Sequence, residues 1–334
     1  MFPRSLHGFR TLAAAAGLVI ILAACTPTQP GTTPSGTAPS GPAGSGPAAC
    51  QGAPTVPDDL QGWGPPASAP ELTPFLIASP GQLVCGPNRV LFTVLDKDGR
   101  PAGAPDVPVE VKVFNLGRDA ATPIATTNGS FIWAIEGERG IYTANVDFPE
   151  SGRYGAEFTV GGGTPVRLTF DVQPSSAAIK VGDRAPASKT PTLASVGGDV
   201  RHISTDATPD PAFYQTSVDQ AIADHKPFVL VFATPKFCTS AQCGPTLDKL
   251  KPYVAKYPTI TFINVEPYKL KLVDGELQAD VDASNQLQTA PVTDEWHLFN
   301  EPTVYVVDRD GIVRANFELI FSDEELTAAL DAVE

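Results

Sequence analysis

The sequence predicts a mixed fold, in which an N-terminal targeting segment and a disordered linker precede an antiparallel β-sandwich and an α/β domain. The 334 residues suffice for about two domains, and 42% of them are hydrophobic, enough to bury real cores. Residues 71–175 contain short apolar runs separated by turn residues, as antiparallel sheets do. Residues 177–334 instead alternate strand and helix patterns, which indicates an α/β domain.

Residues 1–25 have the pattern of a targeting segment. Arg4 and Arg10 give it a basic start, and the apolar or small residues 11–24 are too few to span a hydrocarbon core of about 30 Å. The segment ends in Leu-Ala-Ala-Cys at Cys25, which resembles the bacterial lipobox. The resemblance implies lipidation of Cys25 and an extracytoplasmic protein anchored to the cell membrane. An ordinary secretory signal that happens to contain a cysteine is the alternative.

Residues 26–70 are predicted to be a disordered linker. Pro, Gly, Thr, Ser and Ala supply nearly all of them, so the segment buries too little apolar area to offset the entropy of ordering. The net charge of the whole chain is −14, which argues against the basic faces that nucleic-acid binding and polybasic membrane binding need. Nucleic acid is therefore not an expected partner, and the expected membrane contact is the lipid anchor.

Residues 71–175 carry the strand signals of an antiparallel sandwich. Residues 107–114 alternate Val with other side chains, the period of a half-buried strand, and the turn residues 96–99 follow an apolar run. Further strands are predicted at 90–95, 130–135, 140–148, 152–160 and 165–172. Residues 140–154 resemble bacterial Ig-like accessory domains, which implies an Ig-like spacer or docking module with Trp133 in its core.

In residues 177–334 the hydrophobic pattern changes from repeated strands to alternating strands and helices. Phe228–Phe232 is a continuous apolar run, typical of a central strand covered on both faces. A helix is predicted over Pro245–Lys256, and Ser322 with a Glu three residues later predicts the capped start of the last helix. Further strands are predicted at 259–265, 303–307 and 311–317.

Three landmarks follow one another in this region. They are the entry segment 179–186, the cysteines Cys238 and Cys243 directly after the first central strand, and Glu301-Pro302 before the next strand. Together they resemble the thioredoxin fold, in particular the extracytoplasmic disulfide reductases and peroxiredoxins. The resemblance implies a thioredoxin-like domain with a cis peptide bond at Pro302 and a redox-active cysteine pair.

The position of the pair determines what it can do. A helix N-terminus stabilises a thiolate through its free N–H groups, and the cysteines stand where a strand is followed by a helix. Five residues apart, they would lie about 140° around an ideal helix and could not be bridged within it. The sequence therefore predicts that Cys238 and Cys243 form a disulfide loop and that the helix starts at Gly244-Pro245.

These residues predict a membrane-anchored thiol–disulfide oxidoreductase whose partners are extracytoplasmic protein thiols and disulfides. The predicted site consists of the attacking Cys238, the resolving Cys243, and a substrate platform of Phe237, Glu301 and Pro302. No cofactor and no metal site is expected. The strand Phe228–Phe232 contains no acid that could take the proton of the resolving thiol, which weighs against strong catalysis.

Four other interpretations remain open. In a redox-inert binding or scaffold lipoprotein, the bridge only stiffens a loop. The pattern Cys-Thr-x-x-x-Cys resembles one branch of the peroxiredoxins, although Pro235 and Glu301 replace the Thr and Arg of that family. His297 near the two cysteines resembles the ligand set of Sco-type copper chaperones, with different spacing. In a second register, Cys243-Gly-Pro-Thr makes Cys243 a lone nucleophile.

Two further cysteines remain, Cys50 in the linker and Cys85 before the first sandwich strand. In an oxidising compartment they are predicted to form a structural disulfide that pins the linker to the sandwich. The direction of electron transfer, the redox partner and the role of the sandwich are left open by the sequence.

Overall fold

The structure is a computed structural model, and it describes residues 50–334 except for residues 58, 59, 65, 67 and 80. The described part is mixed and mostly β, with several antiparallel sheets and four α-helices, which confirms the mixed fold. The targeting segment and its lipidation site Cys25 lie outside the described residues. No helix in the described part is long and apolar enough to cross a membrane.

Eight strands form two antiparallel sheets in the first part of the chain, with the orders β1-β2-β6-β5 and β4-β3-β7-β8. They are β1 (Leu72–Ile77), β2 (Gly86–Asp96), β3 (Val109–Asn115), β4 (Ala125–Asn128), β5 (Ser130–Ile135), β6 (Arg139–Phe148), β7 (Gly152–Val160) and β8 (Val166–Val172). The sequence predicts β5 and β7 with their observed bounds. It misses β1, which contains Pro74, and β4, which has only four residues and ends in Asn128. Trp133, expected in the core, is 36% exposed because β5 is an edge strand.

The two sheets share one apolar core. In β3, Val109, Val111 and Val113 are buried while the residues between the valines are half-buried, which is the predicted alternation. The ring centroid of Phe92 in β2 lies 4.9 Å from that of Phe158 in β7. Side chains from the two sheets therefore meet in a single layer.

The described residues between 50 and 64, called the strap below, belong to the predicted linker but pack against the first part of the chain. Cys50 is paired with Cys85, and their Cα atoms are 6.1 Å apart, so the predicted disulfide bond is confirmed. The Ala53 N–H donates to the Ser151 carbonyl oxygen at 2.7 Å. A covalent link and main-chain hydrogen bonds thus hold a segment whose composition alone predicts disorder.

The Trp63 side chain fills a notch over Gly155 of β7. A Cβ atom at Gly155 would lie 2.1 Å from the Trp63 ring, so one of the two would have to move. We expect Gly155→Ala to displace Trp63 from its contact with Phe114 and to lower the free energy of unfolding by about 2 kcal/mol, measured by urea unfolding and tryptophan fluorescence. Gly64→Ala is the matched control, because nothing lies within 4 Å of a Cβ there. Equal stability of the two variants would contradict this packing.

The remaining strands form one four-stranded sheet, in the order β10-β9-β13-β14, and a separate hairpin. They are β9 (Phe228–Phe232), β10 (Thr261–Val265), β11 (Leu270–Val273), β12 (Glu276–Ala279), β13 (Thr303–Val307) and β14 (Val313–Glu318). The helices are α1 (Val218–Ala223), α2 (Cys243–Lys256), α3 (Pro291–Trp296) and α4 (Asp323–Asp331). The sequence predicts β9 and β13 with their observed bounds, and Ser322 caps α4 as predicted, but α1, α3 and the hairpin β11–β12 are not predicted.

Both faces of this sheet are covered, as predicted for β9, every residue of which is buried. Val229 and Val231 face the core that contains α2 and α4, whereas Phe228, Leu230 and Phe232 face the core that contains α1 and α3. Strands β9 and β10 run parallel, and the other neighbours are antiparallel. The carboxyl ends of β9 and β10 therefore lie at one edge of the sheet, and the two cysteines follow β9 at that edge.

The first two sheets also contact the C-terminal sheet. Arg89 of β2 forms an ion pair with Glu325 of α4 at 2.8 Å, and Gln82 donates a hydrogen bond to the Glu318 carboxylate at the end of β14. Burial raises the pKa of Glu318 above its usual range, and the nearby Lys180 partly offsets that effect. The described residues accordingly form one compact unit.

Candidate functional site

Cys238 and Cys243 lie between the end of β9 and the first turn of α2. The structure pairs them, with Cα atoms 6.0 Å apart. Cys238 is in the loop, but Cys243 is the first residue of α2, so the predicted helix start at Gly244 is wrong by one residue. The reason is the Gln242 carbonyl, which accepts the first helical hydrogen bond from the Thr246 N–H at 2.9 Å. The bridge fits because only its second cysteine is helical.

The two sulfurs differ in their access to solvent. Cys243 is fully buried, with 0% exposure, in the core between the sheet and α2. Cys238 is half-buried at the edge of the same core. A sulfur that attacks a partner must be reachable, so this geometry favours Cys238 over Cys243 as the nucleophile.

Two donor groups lie close to the Cys238 sulfur. The Cys243 N–H donates to Cys238 Sγ at 3.2 Å, and Ser240 Oγ lies 3.4 Å from the same sulfur. Ala241 between them adopts a left-handed backbone conformation, with φ 61°, which is uncommon for a residue with a Cβ atom. Both donors would stabilise a negative charge on Cys238 once the bridge is reduced.

The loop before β13 lies directly against the cysteine loop. The Glu301–Pro302 peptide bond is cis, as the sequence resemblance implies. The buried Glu301 carboxylate accepts hydrogen bonds from the Thr239 N–H at 2.9 Å and from the Thr239 hydroxyl at 2.7 Å. The Glu301 main-chain oxygen accepts a third, from the Ser240 hydroxyl at 2.9 Å. The structure therefore brings Cys238 and Cys243 together with Glu301 and Pro302.

The three residues of the predicted substrate platform differ in exposure. Glu301 and Pro302 are buried, whereas Phe237 is half-buried. The Lys236 ammonium lies 5.9 Å from the Phe237 ring centroid and donates to the Leu277 carbonyl of the hairpin at 2.9 Å. The hairpin β11–β12 thus stands beside the cysteine loop. The substrate role of the three platform residues stays a prediction.

Glu266, the residue after β10, is a buried acid at this edge of the sheet that the sequence prediction missed. It continues the row of Phe262 and Asn264, which faces the same side of the sheet as the buried Cys243. Its Oε1 accepts a hydrogen bond from the Thr205 N–H at 2.6 Å, whereas Oε2 is buried and has no hydrogen-bond partner in the part of the chain that the structure describes. Burial raises the pKa of Glu266 to about 7.

A signal for this residue exists in the sequence. An acid directly follows the apolar run 261–265, just as the cysteine loop follows Phe228–Phe232. Parallel neighbours end at one edge of a sheet, so an acid after the second strand reaches the same edge as a loop after the first. The strand next to Phe228–Phe232 is therefore followed by a buried acid at this edge of the sheet, whereas Phe228–Phe232 itself contains none.

Within the described ranges, no group of three or more His, Cys, Asp and Glu side chains is arranged to hold a metal ion. His297, the third ligand in the copper interpretation, is exposed and ends α3 in a left-handed conformation. No protein-family model matches this chain, and no curated protein is significantly similar to it.

Proposed function

We propose that this protein is a membrane-anchored, extracytoplasmic thiol–disulfide oxidoreductase that uses the Cys238–Cys243 pair. The observation that carries the proposal is the asymmetry of the pair. The half-buried Cys238 sulfur has two donors close to it, and its bonded partner is buried behind it. Such donors favour the thiolate, which is the form that attacks disulfides. The proposed membrane anchor is a lipid on Cys25, on the strength of the lipobox-like sequence.

We further propose that residues 71–175 form an Ig-like sandwich and that residues 177–334, which follow it in the chain, form a thioredoxin-like domain. The sheet order β10-β9-β13-β14 and the position of the cysteines after β9 support the first assignment. The two antiparallel sheets with a shared core support the second. In this arrangement the cysteine loop occupies the sheet edge at which α/β proteins commonly bind ligands.

The proposed reaction exchanges one disulfide for another. The Cys238 thiolate attacks one sulfur of the substrate disulfide, so the substrate S–S bond breaks and a mixed disulfide forms. The Cys243 thiol then gives up its proton and attacks Cys238 Sγ, which releases the second substrate sulfur. Two electrons pass to the substrate. One of its sulfurs leaves with the proton of Cys243, and the other takes a proton from solvent. With a dithiol partner the same steps run in reverse.

Glu266 is the proposed acceptor for the proton of Cys243. Its side chain faces the side of the sheet on which Cys243 is buried, and a pKa of about 7 suits proton exchange near neutral pH.

A redox-inert scaffold is the second candidate function. The observation that favours it is the burial of both Glu301 and Pro302, because a closed platform offers little surface to a substrate. In that case the Cys238–Cys243 bridge only stiffens the loop, as the buried Cys243 would allow.

Redox titration of the pair in glutathione buffers separates the two candidates. For the oxidoreductase we expect a reduction potential between about −100 and −250 mV and catalysis of insulin reduction. Intact mass after alkylation shows which of the two disulfides opens, and the double variant Cys50→Ser/Cys85→Ser is the control for the strap disulfide. A Cys238–Cys243 bridge that resists dithiothreitol and is inert towards insulin would contradict the proposal and support the scaffold.

A further inference from the structure

The Ser240 hydroxyl lies between the two loops of the site. Its oxygen is 2.9 Å from the Glu301 main-chain oxygen and 3.4 Å from Cys238 Sγ. The Gln242 N–H already donates to it, at 3.3 Å. A serine hydroxyl has one hydrogen to donate, so Ser240 can serve either the carbonyl or the sulfur, but not both.

The redox state of Cys238 decides between these two acceptors. In the disulfide, the Cys238 sulfur is uncharged and a weak acceptor, so the Ser240 hydroxyl donates its hydrogen to the Glu301 main-chain oxygen. In the dithiol, Cys238 can carry a full negative charge, and hydrogen bonds to charged acceptors are roughly twice as strong as neutral ones. The sulfur is already within reach of Ser240, so only a small rotation of the side chain is needed.

Building on the proposed function, we infer that Ser240 is a redox-coupled switch: its hydroxyl ties the cysteine loop to Glu301 in the disulfide and turns to stabilise the Cys238 thiolate in the dithiol. Reduction thereby removes one of the three hydrogen bonds that join the two loops. Ser240 touches the reacting sulfur, so it acts as a catalytic residue of the exchange reaction.

The step balances with dithiothreitol as the reductant. The two sulfurs of dithiothreitol form a disulfide and give two electrons to the Cys238–Cys243 bond, which breaks. Of the two protons that dithiothreitol loses, one goes to the Cys243 sulfur and the other to solvent, because Cys238 remains a thiolate held by Ser240.

The first test measures the thiolate absorbance of Cys238 at 240 nm against pH, in full-length protein that carries Cys243→Ala and an intact strap disulfide. We expect Ser240→Ala to raise the pH midpoint of this absorbance by about 1 pH unit. At a pH below the midpoint, this lowers the fraction of Cys238 that is thiolate about tenfold. Ser240→Thr keeps the hydroxyl and should retain the original midpoint. Ser240→Gly replaces Ser240→Ala if that variant does not fold.

The matched control is Thr239→Val, which removes a hydrogen bond between the same two loops but no donor to the sulfur. In Thr239→Val, the fraction of Cys238 that is thiolate at a given pH should change less than threefold. In protein that retains both Cys238 and Cys243, the equilibrium constant for exchange between their disulfide and glutathione should differ less than threefold between Ser240→Ala and the wild type. The reason is that Ser240 makes a hydrogen bond in each redox state.

Two results would overturn the switch: an unchanged midpoint in Ser240→Ala, or a shift of equal size in Thr239→Val. The failure of the proposed function is a different result. It would appear as a wild-type Cys238–Cys243 bridge that dithiothreitol does not open, whatever residue stands at position 240.

Discussion

Replacing Cys243 by alanine is expected to abolish turnover of disulfide substrates and to trap the protein as a mixed disulfide through Cys238. The half-buried Cys238 can still attack, but no second sulfur lies behind it to release the substrate. With insulin as substrate, catalysed reduction should fall by about a thousandfold or more, because the resolving step has no alternative nucleophile. Intact mass without reductant should show a stable adduct of the protein with insulin.

Cys238→Ala is the partner variant in this experiment. It should lose the same activity and form no adduct, because the sulfur that remains, on Cys243, is fully buried. The opposite pattern, with an adduct in Cys238→Ala and none in Cys243→Ala, would mean that Cys243 is a lone nucleophile. Undiminished turnover in Cys243→Ala would contradict a two-cysteine mechanism altogether.

The site elements that the sequence predicts are those with a strong local signal. Five adjacent apolar residues predict β9, and a Ser with a Glu three residues later predicts the start of α4. Each of these signals comes from neighbouring residues, so it does not depend on how distant segments pack. The start of α2 is displaced by one residue because the Gln242 carbonyl, rather than Pro245, determines where the helical hydrogen bonds begin.

What the sequence misses depends on contacts between distant segments. The strap is held by Ser151 and by a notch over Gly155, both about a hundred residues further along the chain, and its own composition predicts disorder. Ser240 is an ordinary loop serine until Glu301 is placed beside it. Burial, with a smaller contribution from the nearby Asp206 carboxylate, raises the pKa of Glu266, and local sequence reports neither effect.

Glu266→Gln is expected to make the protein more stable at pH 8 by about 3 kcal/mol. The pKa of Glu266 is raised from its usual 4.5 to about 7, so the folded state holds a proton that the unfolded state has already lost between these two values. The stability that this group contributes is complete below about pH 4.5 and is lost as the pH rises through about 7. Glutamine has no charge to bury, so it avoids this loss while its oxygen can still accept from the Thr205 N–H.

Urea unfolding of both proteins between pH 5 and pH 8 measures this effect. The two unfolding curves should lie close together near pH 5 and separate progressively towards pH 8. Glu276→Gln on the exposed hairpin is the matched control, and it should follow the wild type at every pH. A Glu266→Gln variant that is no more stable than the wild type at pH 8 would show that this carboxylate is not buried in its charged form.

The same variant tests why a carboxylate stands there at all. Buried carboxylates with a strongly raised pKa are found more often at functional sites than elsewhere, so Glu266 is a candidate for a chemical role. If Glu266 takes the proton of Cys243, Glu266→Gln should slow the resolving step and let the mixed disulfide through Cys238 accumulate, although the protein is more stable. A gain in stability with an unchanged rate of resolution would remove Glu266 from the mechanism and leave the buried charge without an explanation. A gain in stability with slower resolution would identify the group that activates the buried sulfur.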